Sequence, residues 1–339
     1  MGICAGKMVD TGQGSRGERH AFHGQGSENL AFVFPGQGSQ YVGMGKELWN
    51  GFQIAKDTFH EASDVLGKDI AKLCFEGTPP ELNLTENTQP AILTVSIAVW
   101  RVLNQENPAI IPAYLAGHSL GEYTALVVSG ALDFKDAVRI VNLRGRFMQE
   151  SVLEGIGTMA AVLGLKGDIV SDICKEVSTL NHVVVAANFN SPEQTVISGH
   201  KEAVEKASLA AKEKGAKRVV SLPVSVPSHS PLMNTAARKL KEELRAVDIK
   251  PLNIPVITNV EAEPITSPDR VKELLVNQLY NPVRWVDTII KMKGLGVTRI
   301  IEIGPGKVLT GLIKRIDSSI ETFNIEKPED VYKNRDACA

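Results

Sequence analysis

Residues 112–130 read Pro-Ala-Tyr-Leu-Ala-Gly-His-Ser-Leu-Gly-Glu-Tyr-Thr-Ala-Leu-Val-Val-Ser-Gly, and they constrain the fold more than any other stretch. The apolar run Ala113 to Ala116 is expected to be a short buried strand. It breaks at Gly117-His118-Ser119-Leu120-Gly121, and an apolar helical segment follows to Gly130. A turn this tight crowds the backbone, and glycine at both ends removes the Cβ atoms that would clash. Gly-x-Ser-x-Gly between strand and helix is a nucleophile elbow. Ser119 then sits at the tip with its hydroxyl exposed, above the unpaired N–H groups and positive dipole of a helix start that can meet a developing oxyanion. Without that setting, the same five residues suit a helix-capping serine flanked by glycines.

The elbow lies in a chain where strand and helix patterns alternate. Asn29–Gly36 reads as a first buried strand ending in the glycine-rich turn Gly36-Gln37-Gly38-Ser39-Gln40. Helical patterns follow over 44–66, 88–104 and 133–150, and the order implies a mostly parallel sheet covered on both faces. Between 154 and 222 the pattern changes to strand, helix, two strands, helix and strand. That βαββαβ order is the ferredoxin-like arrangement and marks an inserted small subdomain. The α/β pattern resumes with helices over 231–246, 269–280, 285–294 and 308–316 and strands at 255–260 and 299–303. The expected division is 29–153 with 223–326 for the large subdomain and 154–222 for the small one. Residues 1–28 hold seven glycines and few large apolar residues, and are expected to be a disordered extension; 327–339 are expected to be a loose tail.

Composition removes several classes of function. With 339 residues, 43% of them hydrophobic, the chain can bury one large core. A formal net charge of −2 gives no global electrostatic case for nucleic acid or membrane surfaces. No run approaches eighteen apolar residues, so no transmembrane helix is expected. Cys4, Cys74, Cys174 and Cys338 are far apart, no two at metal-ligand spacing, which fits a reducing cytoplasm and neither a disulfide framework nor a metal site.

A serine nucleophile needs a base and a group to orient it. Of seven histidines, His20 and His23 lie in the glycine-rich start, His60 on a helix, and His182 and His200 in the small subdomain. His118 adjoins the nucleophile and is expected to point elsewhere. His229, in the polar turn Ser225-Val-Pro-Ser-His-Ser-Pro231 after a returning strand, is the candidate base. The plainer alternative is a surface histidine capping the next helix. No acid stands out between 119 and 229, so a Ser–His dyad oriented by a neutral group such as a backbone carbonyl is the simplest account. Arg144 lies among Val138, Val141, Leu143 and Phe147, where a part-buried guanidinium could take a carboxylate bidentately. On residues alone, a solvated arginine on a helix face is the favoured reading.

Taken together, these motifs resemble those of bacterial-type malonyl-CoA:acyl-carrier-protein transacylases. The matching stretches are Phe32-Val-Phe-Pro-Gly-Gln-Gly-Ser-Gln40, Thr88-Gln-Pro90, Gly117-His-Ser-Leu-Gly-Glu-Tyr123 and Arg144-Gly-Arg-Phe-Met-Gln149. They continue with Asn188-Phe-Asn-Ser-Pro192, Val226-Pro-Ser-His229, Gln278-Leu-Tyr-Asn-Pro282 and Gly304-Pro-Gly-Lys-Val-Leu309. The resemblance implies an α/β-hydrolase-like large subdomain with a ferredoxin-like insertion and the site between them. It makes Ser119 the acylated nucleophile, His229 its base, and the Gln278 carbonyl the orienting group. The N–H groups of Gln37 and Leu120 become the oxyanion hole, and Arg144 the carboxylate binder, which reverses the reading from residues alone. His20-Ala-Phe-His23 resembles a specificity tetrapeptide of polyketide acyltransferases, but it precedes the serine and is set aside as coincidence.

The expected activity is transfer of malonyl from malonyl-CoA to the phosphopantetheine thiol of holo acyl carrier protein, supplying fatty acid synthesis. No cofactor, metal, nucleic acid or membrane partner is expected, and the chain is expected to act as a cytoplasmic monomer. The rivals are a serine hydrolase that releases the acyl group to water, a protein that only docks a carrier, and a transferase loading a polyketide or polyunsaturated-lipid synthase. Lys212, Lys214, Lys217 and Arg218 form a basic cluster that could meet an acidic carrier, although most such clusters are solvated faces.

Overall fold

Leu30-Ala-Phe-Val-Phe34 is apolar at every position, as befits a strand with both faces covered. In the computed structural model, which describes residue 2 and residues 27–333 apart from 154 and 225, this run lies in strand β1 (Ser27–Phe34). Leu30, Phe32 and Phe34 face one core, and Ala31 and Val33 face another. The first core is closed by helices Thr85–Glu106, Phe134–Glu150 and Asn234–Arg245. The second is closed by Trp285–Gly294 and Val308–Ile316. The expected disordered extension over 1–28 falls almost wholly outside the described residues, as does His20-Ala-Phe-His23.

The remaining strands are β2 (Pro112–Gly117), β3 (Gly157–Leu163), β4 (Val184–Ser191), β5 (Gln194–His200), β6 (Arg218–Ser221), β7 (Val256–Ile257), β8 (Pro264–Ile265), β9 (Arg299–Ile303) and β10 (Glu321–Ile325). The large sheet runs β10-β9-β1-β2-β7-β8, parallel except where β8 pairs antiparallel with β7. The mixed α/β fold with a mostly parallel sheet is the expected one. The small sheet runs β4-β5-β3-β6 with every pair antiparallel, the strand order of a ferredoxin-like unit. Helices Gly167–Val177 and Lys201–Glu213 cover one of its faces through Ala160, Val162, Ile173, Ile197 and Val204. Met159, Ala161, Ala187 and Val196 alternate onto the other face.

Helix Thr85–Glu106 is buried nearly all round and carries Pro90. Proline cannot donate to the carbonyl four residues earlier. The Asn142 side chain takes that place, donating to the Glu86 carbonyl at 2.9 Å and joining this helix to Phe134–Glu150.

Several elements differ from expectation. The strand expected over 255–260 shrinks to Val256–Ile257, and the chain returns as the two-residue edge strand β8. Strand β10 has no apolar pattern that predicts it, since only Ile325 along it is fully buried. Short helices at Ile70–Glu76 and Pro79–Asn83 are capped by Asp69 and Thr78 side chains, a local signal that spans too few residues for a periodic pattern. The tail expected to be loose from 327 forms helix Pro328–Lys333. The Asp330 carboxylate accepts from the Glu326 and Lys327 N–H groups, and Val331 is buried against the main core.

Candidate active site

At the elbow, a Cβ on Gly117 would fall 1.8 Å from the Gly121 carbonyl carbon, and one on Gly121 would fall 2.1 Å from the Phe34 carbonyl oxygen. Any side chain at either position would push β1, β2 and the following helix, Gly121–Val128, apart. Between the glycines Ser119 has φ of 51°, in the left-handed region that side chains avoid. Asn259, just past β7, holds it there: its Oδ1 accepts the Ser119 N–H at 2.6 Å and its Nδ2 donates to the Gly117 carbonyl at 2.6 Å.

The Ser119 Oγ lies 2.8 Å from His229 Nε2, and His229 Nδ1 lies 2.7 Å from the Gln278 carbonyl oxygen. A carbonyl only accepts, so Nδ1 carries the proton and Nε2 is left to accept from the serine hydroxyl. His229 also has a positive φ, 59°, and its N–H donates to the Leu279 carbonyl at 2.9 Å. Of the three described non-glycine residues in the left-handed region, two are the reacting pair and the third is Ala262, so most of this backbone strain sits at a working site. The imidazole is 3% exposed. Burial first, and then the Arg144 charge, push its pKa down to about 3, so it is neutral and able to accept a proton at neutral pH.

Arg144 is 1% exposed and does not lie on a solvated face. Its Nη1 donates to Gln89 Oε1 at 2.8 Å; its Nη2 donates to Gln278 Oε1 at 3.0 Å and to Ser119 Oγ at 3.3 Å. The guanidinium also stands 5.6 Å from the centre of the Tyr123 ring. Among the described residues no carboxylate forms an ion pair with it, and its Nε has no hydrogen-bond partner. Its hydrogen-bond partners are all neutral and Glu122 compensates it only without direct contact, so burial still lowers its pKa. An anion arriving beside Ser119 would supply the missing charge.

These groups open on a cleft of about 160 Å³ between the two sheets. Gln37 and Leu120 line it next to Ser119, and Met159, Asn190 and Val196 line it from the small sheet. The cleft also contains His118, which sequence reasoning expected to point away. Its Nε2 lies 2.8 Å from Asn190 Oδ1, so it bridges the two units across the site. The basic cluster at 212–218 is exposed and partly paired, Lys214 with Glu176 at 3.9 Å and Lys217 with Glu193 at 3.2 Å. No group of three or more potential metal ligands occurs among the described residues.

The residues that sequence reasoning missed are Gln89, Asn259 and Glu122, together with the side chain of Gln278. Glu122 carried a usable signal: a single acid in an otherwise apolar helix that has to be buried. Asn259 carried a weaker one, a polar residue just past the carboxyl end of a parallel strand, where such sheets build sites.

The model of the acyl transferase domain family matches residues 31–326. The chain belongs to that family. As an acyl transferase it is 50% identical over 289 residues to the malonyl CoA-acyl carrier protein transacylase of Escherichia coli (strain K12), covering 85% of this chain and 93% of that protein. The crystal structure of an acyl carrier protein S-malonyltransferase from Vibrio cholerae matches with a TM-score of 0.88 at 46% identity, over 91% of this chain and 100% of that one. A malonyl-transacylase solved in complex with its type II PKS acyl-carrier protein matches equally well, with a TM-score of 0.88 at 47% identity over 91% and 99% of the two chains. No helix among the described residues of this acyl transferase is long and apolar enough to cross a membrane.

Proposed function

We propose that this acyl transferase moves a malonyl group from malonyl-CoA to the phosphopantetheine thiol of an acyl carrier protein through a malonyl ester on Ser119. His229 accepts the serine proton as Oγ attacks the thioester carbonyl, and returns it to the departing CoA thiolate. In the second half the carrier thiol gives its proton to His229 and attacks the ester. The thioester forms, Ser119 leaves as alkoxide, and the imidazolium reprotonates it. The N–H groups of Gln37 and Leu120 receive the oxyanion of each tetrahedral intermediate. The Gln278 carbonyl keeps the imidazole in the tautomer that accepts at Nε2. The residues supply all of these roles, so the reading calls for no metal or cofactor.

One observation carries the choice of acyl group. A buried guanidinium with only neutral partners stands 3.3 Å from the nucleophile. A malonyl group brings the carboxylate that Arg144 lacks, whereas an acetyl group would leave the cation uncompensated. Fatty acid synthesis is the pathway we assign, in the cytoplasm and as a monomer, with the basic cluster at 212–218 as a docking patch for the acidic carrier. The test is intact mass after mixing with malonyl-CoA and again after adding holo carrier protein. One added malonyl that then moves to the carrier is the expected result. Rapid free malonate without carrier would identify a hydrolase, and no mass change at all would overturn the reading.

A further inference from the structure

Building on the acyl-transfer reading, we propose that Glu122 is a positioning residue whose carboxyl oxygen joins the clamp on Ser119 to the residue that orients His229 and Arg144. One oxygen, Oε2, accepts from two donors: the Asn259 backbone N–H at 2.9 Å and Gln278 Nε2 at 2.9 Å. Asn259 spans the elbow with its side chain, as described above. Gln278 is the second hub. Its carbonyl meets His229, its Oε1 meets Arg144, and its Nε2 also donates to the Ser119 carbonyl at 3.1 Å. Both hubs are fully buried, and they lie on different segments of chain. The Ser119 backbone bonds to both, and the hubs meet in a long contact of 3.5 Å from Gln278 Nε2 to Asn259 Oδ1; Glu122 adds a side-chain carboxyl acceptor shared by the two.

The cost of placing an acid there argues for a use. Glu122 is 2% exposed in a helix otherwise made of Gly121, Tyr123, Thr124, Ala125, Leu126, Val127 and Val128. A helix that needed only to pack would bury an apolar residue at this position more favourably. Burial pushes the Glu122 carboxyl up to about 7, against the pull of Asn259, Gln278 and Arg144, so the group is held in place under a desolvation penalty. If Oε2 is removed, Asn259 and Gln278 each lose a buried acceptor, and only the 3.5 Å contact between them and their bonds to the Ser119 backbone remain to hold their register. A displacement of about 1 Å between a nucleophile and its base costs roughly 100-fold in rate.

Two variants separate positioning from charge and from packing. Glu122→Met keeps length and volume but has no oxygen; Glu122→Gln keeps one carbonyl oxygen able to accept from both donors. The pre-steady-state rate of Ser119 acylation is measured with malonyl-CoA and with acetyl-CoA. Glu122→Met should lose roughly 100-fold in rate with both donors while KM for malonyl-CoA moves less than about threefold. Glu122→Gln should stay within about tenfold of the parent. Parental rates in Glu122→Met, equal losses in Met and Gln, or a loss confined to the malonyl donor would overturn the proposal. If Glu122→Met does not fold, Asn259→Ala keeps the backbone N–H that donates to Glu122 but removes the side-chain clamp which that bond positions, and a parental acylation rate in that variant overturns the proposal equally. The parent enzyme failing to take malonyl would instead sink the acyl-transfer reading. A fluorophosphonate that labels Ser119 directly would still report whether Glu122 positions it.

Discussion

The two sheets that face each other across the cleft contribute different things. The large sheet with its helices and loops supplies the reacting pair, Ser119 and His229, and the groups that hold them: Gln278, Arg144, Asn259 and Glu122. All but the half-buried Ser119 are buried, and hydrogen bonds tie them into one frame. The small sheet supplies a wall: Met159 and Val196 from its uncovered face, and Asn190. Bonds to the frame include His118 to Asn190 and the exchange in which Phe189 and Val283 N–H groups donate to the Val283 and Ala187 carbonyls. On the acyl-transfer reading we propose, the division assigns chemistry and recognition of charge to one side and the size of the acyl group admitted to the other. Substitutions on the two sides should therefore have separable effects.

The largest expected effect is on the frame. Ser119→Ala should lower acyl-enzyme formation by at least about 10⁴-fold, measured by intact mass against time. A malonyl adduct persisting in that variant would place the nucleophile elsewhere. Arg144→Ala should lower malonyl loading by roughly 100-fold and shift the ratio of acetyl to malonyl loading upward, read by mass when the two donors compete. Full malonyl preference in that variant would remove Arg144 from recognition. On the other side, Met159→Ala widens the wall without touching the dyad. Malonyl loading should stay within about tenfold while longer acyl groups gain, and an equal loss for every donor would show that the wall also positions the chemistry.

The frame also has a pH signature. His229 in the unfolded chain takes a proton near pH 6.5, but in the folded protein it does so only near 3, because burial and Arg144 disfavour the cation. Between these values the unfolded state binds the extra proton. The stability contributed by the neutral imidazole is present above about pH 6.5 and is lost as pH falls toward 3. His229→Gln lacks this term, so its stability relative to the parent should improve as pH drops from 7 to 4, followed by urea unfolding. A constant difference would mean that the histidine is not held neutral. The smallest effect belongs to the exposed cluster. Replacing Lys212, Lys214, Lys217 and Arg218 with alanine should raise KM for carrier protein by a few fold at low salt and leave malonyl loading unchanged. No change in KM would dismiss the docking patch.

The same contrast between frame and wall governs how much could be read from the residues. The elbow was legible because its glycines, strand and helix are adjacent in sequence, and the βαββαβ order was legible because each element is periodic. The Ser119 and His229 positions could be proposed from turn chemistry and chain order. The polar network could not, because Gln89, Glu122, Asn259 and Gln278 lie up to 189 positions apart. No local pattern shows that their side chains meet. Arg144 is the sharpest case, since a helix-face arginine and a buried anion receptor have the same local sequence, and only the fold packed over it distinguishes them. The edges of the large sheet failed for a different reason. Strands β8 and β10 are short or half-buried, so their apolar alternation is too weak to separate from loop.

The most direct measurement of the central claim is a crystal structure of the enzyme trapped after loading with malonyl-CoA. The account predicts an ester on Ser119 Oγ, its carbonyl oxygen facing the N–H groups of Gln37 and Leu120, and the distal carboxylate in hydrogen-bond contact with the Arg144 guanidinium. An ester on another residue, or a malonyl carboxylate turned into bulk water with Arg144 still held only by Gln89 and Gln278, would contradict it.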